Sequence, residues 1–173
     1  MPSTLIPVEQ YLKYPGEYEP DADYVDGEIE LRPMGQYDHS TWQTAVLNWF
    51  LAYSREWKIR ARCELRIRIS PTRYRVPDVV VFDRARPIEQ ILTHPPLAVF
   101  EVLSPEDRLR RMMIKLADYE AMGIPFIRVV DPASGAISAF ARGVLAPVES
   151  DVELVPGSSC LIDWAQVRTL LDD

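Results

Sequence analysis

Two acidic residues lie inside runs that are otherwise apolar: Val76-Pro77-Asp78-Val79-Val80-Val81 and, after a loop, Leu97-Ala98-Val99-Phe100-Glu101-Val102-Leu103-Ser104. A buried carboxylate is costly unless a cation lies beside it. Pro77 imposes an extended approach to the first run, so Asp78 has a fixed direction near that strand's beginning. If the two strands are antiparallel neighbours joined by the loop from Asp83 to Pro96, Asp78 and Glu101 can share one ion. Hard oxygen ligands of this kind suit Mg2+ or Mn2+, which keep several waters for hydrolytic chemistry. Taken singly, Glu101 between Phe100 and Val102 fits an interior acid paired with an arginine equally well.

Lys115 is the third candidate. It lies ten residues beyond Pro105, roughly 15 Å along a helix, while Glu101 lies three residues before Ser104, roughly 10 Å back along its strand. A helix folding back over that strand brings the two within reach of a lysine side chain. There an ammonium group can hold the attacking water in line with a phosphorus atom, or neutralise charge building on a phosphate. An exposed helix lysine is the default alternative.

These residues need a scaffold, and periodicity supplies one. Val8, Tyr11 and Leu12 fit a short amphipathic helix, and Tyr24 to Leu31 reads as a hairpin turning at Asp26-Gly27. Asp38 is placed to cap a helix from His39 to about Trp57, with Trp42, Ala45, Val46, Trp49, Phe50 and Tyr53 at core spacing. Cys63, Leu65, Ile67 and Ile69 alternate with Glu64, Arg66 and Arg68 as in a half-buried strand, whereas Arg75 to Phe82 and Leu97 to Leu103 read as strands covered on both faces. Ser104-Pro105-Glu106-Asp107 predicts the start of a helix ending at Gly123. Phe126 to Val130, Ala136 to Phe140 and Val152 to Val155 are further strands, and Asp163 to Leu171 a closing helix. The order indicates an α/β or α+β architecture, a mixed central β-sheet flanked by helices, in a single domain over residues 1–173.

Composition bounds the function. With 47% hydrophobic and 26% charged residues the chain is that of an ordinary globular protein, and no apolar run approaches the ~18 residues of a membrane span. The N-terminus lacks a basic region leading into an apolar one, and two isolated cysteines support neither a zinc site nor a disulfide framework, so cytoplasmic residence is expected. The net charge of -7 argues against nucleic acid as a partner, but Arg55 to Arg75 holds eight basic residues against two acidic ones. Arg66 and Arg68 in that segment are the candidate phosphate contacts.

As a set, Tyr24-Val25-Asp26-Gly27-Glu28, the helix beginning at His39, Pro77-Asp78-Val79, Phe100-Glu101-Val102-Leu103-Ser104-Pro105 and Lys115 with Tyr119 and Gly123 resemble the Uma2-type restriction endonucleases of the PD-(D/E)XK nuclease superfamily. The likeness runs from about residue 5 to 140. It implies a restriction-endonuclease-like core and a Mg2+- or Mn2+-dependent endonuclease acting on DNA. Asp78 and Glu101 would be the metal pair, Asp23 an auxiliary metal-binding acid, and His39 a nucleic-acid-binding residue near the mouth of the site. The superfamily pattern places a lysine two residues after the Glu, where this chain has Leu103; the resemblance implies that Lys115 takes that role. Asp23 also stands where relatives carry Glu. A homodimer is expected if both strands of a duplex are cut by paired sites. The rival readings are a catalytically inactive nuclease-fold module that binds nucleic acid or protein, and a hydrolase of smaller phosphodiesters.

Overall fold

The computed structural model describes residues 5–13, 17 and 21–172. These form α1 (Val8–Lys13), β1 (Ala22–Val25), β2 (Glu28–Leu31), α2 (Tyr37–Ala52), β3 (Ile59–Cys63), β4 (Ile67–Ser70), β5 (Arg73–Arg75), β6 (Val79–Asp83), β7 (Ala98–Val102), α3 (Leu109–Met122), β8 (Ile127–Asp131), β9 (Ala136–Ala141), β10 (Val144–Pro147), β11 (Val152–Leu154), β12 (Leu161–Asp163) and α4 (Trp164–Thr169). The main sheet has the order β10-β9-β8-β7-β6-β3, and a smaller one the order β2-β1-β5-β4. Only β7 and β8 run parallel in the main sheet, with α3 as the crossover between them. The mixed α+β architecture expected from the sequence is therefore present.

Alternation along β6 and β7 divides the core. Val79, Val81, Ala98, Phe100 and Val102 pack with Trp42, Val46 and Phe50 of α2 and with Trp164 and Val167 of α4. Val80, Phe82 and Val99 instead face Met112, Leu116 and Tyr119 of α3. Because β6 and β7 are buried on both faces, they show no polar alternation, and their acids stand out. The hairpin turns as predicted, with Asp26 at φ 50° and Gly27 at φ 96° between the paired residues Val25 and Glu28.

Several expectations need correction. α2 starts at Tyr37, and Gln36 occupies the cap without a side-chain bond, so Asp38 lies inside the first turn. It ends at Ala52; Lys58, at φ 54°, redirects the chain into β3, leaving Trp57 stacked on Tyr53 at 4.5 Å between ring centroids. The alternation from Cys63 to Ile69 spans two strands, because Glu64 at φ 53° breaks it and sends the chain from the main sheet to the small one. Likewise Arg75 to Phe82 is cut at Pro77, with β5 in the small sheet and β6 in the main one. Finally, Ser104 does not cap α3. The Asp107 carboxylate accepts the Ser104 N–H at 2.6 Å and the Asp107 N–H donates to the Ser104 carbonyl at 2.9 Å, closing a separate turn before the helix begins at Leu109. Cys63 is exposed, so only Cys160 is a buried small hydrophobe.

Phe50 is wholly buried and lies 5.4 Å from Phe100 between ring centroids. Phe50→Ala is expected to lower stability by about 3–5 kcal/mol, read as a shifted urea midpoint with the far-ultraviolet circular dichroism spectrum of the native protein retained before the transition.

Candidate active site

The β6–β7 register pairs Val79 with Phe100, so Asp78, one step earlier, stands opposite Glu101 on the α3 side of the sheet. Both are almost fully buried. Asp78 is held rigidly: its Oδ2 accepts the Val102 N–H at 2.7 Å, while Oδ1 meets the Arg32 guanidinium and lies 3.4 Å from His39 Nε2. Glu101 receives Lys115 Nζ at 3.0 Å and the Tyr119 hydroxyl at 2.6 Å. Lys115 also donates to the Val76 carbonyl at 2.9 Å and lies 3.6 Å from Asp23. α3 therefore folds back over β7 and delivers Lys115 to Glu101, as the spacing argument requires. Among the described residues Asp23, Arg32, His39, Asp78, Glu101 and Lys115 line a notch of ≈ 100 Å³, and a broader cleft of ≈ 690 Å³ shares its Arg32, Pro33 and His39 wall.

Burial and charge divide the two acids. Burial pushes Glu101 up to about 7, and the Asp78 charge adds to this while Lys115 and Arg32 oppose it. At Asp78 burial acts in the same upward direction, but the His39 hydrogen bond and the charges of Arg32 and Lys115 outweigh it, so this acid stays below the usual range. Lys115 is lowered by burial and raised more strongly by Asp23 and Glu101, and it keeps its charge. His39 is raised, chiefly by its hydrogen bond to Asp78, against the effect of burial.

Sequence reasoning placed Asp78, Glu101 and Lys115 together, and His39 and Asp23 join them at the notch. Asp23 is turned toward the protein: Oδ1 accepts the Val76 N–H at 2.7 Å and Oδ2 lies 3.1 Å from Arg75. Arg75, itself buried, also binds Glu30 at 2.7 Å and Asp118 at 2.8 Å, so one guanidinium ties β1, β2 and α3 to the strand leading into Asp78. Arg66 and Arg68 lie elsewhere. The Arg66 guanidinium covers the Tyr11 ring at 4.6 Å, and Arg68 is exposed on β4; neither lines the notch. The arginine at the acids is Arg32, which no spacing or motif marks. Arg75, adjoining the apolar run at Val76, carried a readable signal as the counter-charge for buried carboxylates. Among the described residues no three His, Cys, Asp or Glu side chains form a group able to hold a metal ion unaided.

Residues 8–169 match the Uma2 family, described as "Putative restriction endonuclease". A crystal structure from Anabaena variabilis ATCC 29413, described as "a putative nuclease belonging to DUF820", is similar at a TM-score of 0.79 and 23% identity, covering 96% of this chain and 99% of that one. At that identity the likeness concerns the fold. A DrdV–DNA complex solved by cryo-electron microscopy shows a weaker similarity, with TM-score 0.43 and 15% identity over 80% of this chain and 12% of that one. No curated protein matches the chain.

The Arg75 junction makes a direct test of what supports the notch. Removing one partner of a buried charge cluster leaves uncompensated carboxylates, so Arg75→Ala is expected to cost about 3–5 kcal/mol. Guanidinium denaturation followed by tryptophan fluorescence measures it, and a loss below about 1 kcal/mol would show that solvent compensates Asp23 and Asp118 instead.

Proposed function

The chain belongs to the Uma2 family of restriction endonuclease-like proteins, and from that premise we propose that it hydrolyses phosphodiester bonds in DNA using Mg2+ or Mn2+ held by Asp78 and Glu101. The observation that carries this reading is the meeting of two buried carboxylates and one buried ammonium group in a single notch. The donor set fits a hard divalent cation. Its ligands are carboxylate oxygens, one or two of which suffice when water and substrate phosphate complete the coordination shell. The Arg32 guanidinium paired with Asp78 supports this reading, since the carboxylate already faces a positive charge. Bound at these acids, a divalent ion would polarise the phosphate and raise the acidity of water.

The chain's own groups do the rest. Val102 N–H and Tyr119 O–H fix the directions of Asp78 and Glu101, so ligand oxygens need no reorganisation when substrate arrives. Lys115, anchored to the Val76 carbonyl, presents a permanent positive charge to the site and stabilises negative charge accumulating on the phosphate. His39 lies at the wall shared with the broad cleft, which in this reading would take an extended strand. A homodimer with one notch per copy accounts for cutting both strands of a duplex. The second reading, a nuclease-fold module without catalysis, draws on the arginine lodged at Asp78 and on the acidic net charge.

Purified protein with Mg2+ or Mn2+ is expected to nick supercoiled plasmid. Asp78→Ala and Glu101→Ala should abolish nicking, and Lys115→Met should slow it by about 10²-fold or more. Nicking that persists unchanged in the folded acid variants rejects the assignment, and Mn2+ calorimetry showing no heat dependent on Asp78 and Glu101 selects the non-catalytic reading.

A further inference from the structure

Two cations face the acids, and they are held very differently. Lys115 is fixed to a backbone carbonyl as well as to Glu101. Arg32 lies in the loop after β2, and among the described residues its partners are side chains alone: Asp78 at one guanidinium nitrogen and, at 3.5 Å from the other, Glu64. With Pro33 and His39 it lines both the notch and the broad cleft. Glu64 lines that cleft and is nearly half exposed, so the guanidinium has a second anchor outside the notch.

Both Asp78 oxygens are engaged, and both acceptor positions of Oδ1 are filled. Oδ2 is taken by the Val102 N–H, and Oδ1 carries both Arg32 and His39. A divalent ion bound at Oδ1 must therefore take the place of Arg32 or His39, and Arg32, which has no backbone anchor and brings a positive charge, is the one to leave. Resting on the metal-binding reading above, we infer that Arg32 is the resident cation of the notch and determines which metal ions enter it. A divalent ion gains access by displacing the guanidinium from Asp78 toward Glu64 and the cleft. A monovalent ion brings no more charge than the guanidinium it must replace and lacks its directed hydrogen bonds, so it does not compete. An ion that engages Asp78 and Glu101 together does. Arg32 thus acts as a selectivity residue that keeps the acid pair compensated when no divalent ion is bound.

The test uses Mn2+ alone as the probe, with wild-type protein, Arg32→Ala and Asp78→Ala titrated calorimetrically in the same buffer. Loss of a competing charged hydrogen bond is expected to tighten Mn2+ binding in Arg32→Ala by about tenfold or more, with Asp78→Ala showing no such binding. A second measurement covers the case in which Arg32→Ala does not fold. In wild-type protein, the arginine Nε–H resonance of Arg32, assigned with Arg32→Lys, should change position on titration with Mg2+. Unchanged or weaker Mn2+ affinity in folded Arg32→Ala, or an Arg32 resonance that stays put while Mg2+ binds, overturns the inference and leaves the metal site standing. Mn2+ binding in neither wild type nor Arg32→Ala removes both. Binding in Arg32→Ala alone supports both.

Discussion

Two carboxylates withdrawn from water on neighbouring strands impose the constraint around which this fold is arranged. Asp78 and Glu101 are both on the α3 side of the main sheet, where an uncompensated negative charge is costly. The protein answers with Lys115 from α3, Arg32 from the loop after β2, and His39 from the first turns of α2. These three groups come from three different elements. The position of α3 over β7, the path of the hairpin and the start of α2 are all tied to one small volume.

The two sides of the main sheet divide this labour. The α2 and α4 side is an aromatic and aliphatic core, with Phe50, Phe100 and Trp164 in contact. It contributes area removed from water and little direction. On the α3 side the apolar packing around Leu116 and Tyr119 gives way, toward the ends of β6 and β7, to directed bonds. Tyr119 belongs to both regimes, with its ring in the core and its hydroxyl on Glu101. Arg75 plays the corresponding part for the small sheet, gathering Asp23, Glu30 and Asp118.

What could be read from the residues was whatever a local pattern encodes. The acids in doubly buried strands, the Asp26-Gly27 hairpin, the Trp42 to Phe50 stripe and the reach of Lys115 to Glu101 all follow from period and spacing. The misreadings fall where the chain changes sheets. Cys63 to Ile69 alternates without interruption, and only the left-handed backbone at Glu64 shows that the pattern is shared by two strands. Arg32 was invisible for a related reason: its partners, Asp78 and Glu64, are brought to it by sheet packing, and no motif records a contact between a loop and a distant strand. Arg66 shows the converse, since a basic residue in a basic segment turned out to lie over the Tyr11 ring.

The short passage Val76-Pro77-Asp78 is a splice between sheets, leaving β5 of the small sheet and entering β6 of the main one. Its backbone is gripped at three points: Asp23 takes the Val76 N–H, Lys115 the Val76 carbonyl, and Gln43 the Asp78 carbonyl at 3.0 Å. The small sheet owns the first of these grips and the main sheet's helices the other two. The carboxylate oxygens of Asp78 are thus aligned only while both layers hold their relative position, so a local opening of the β1–β2–β5 layer would misalign the notch while the aromatic core remained folded.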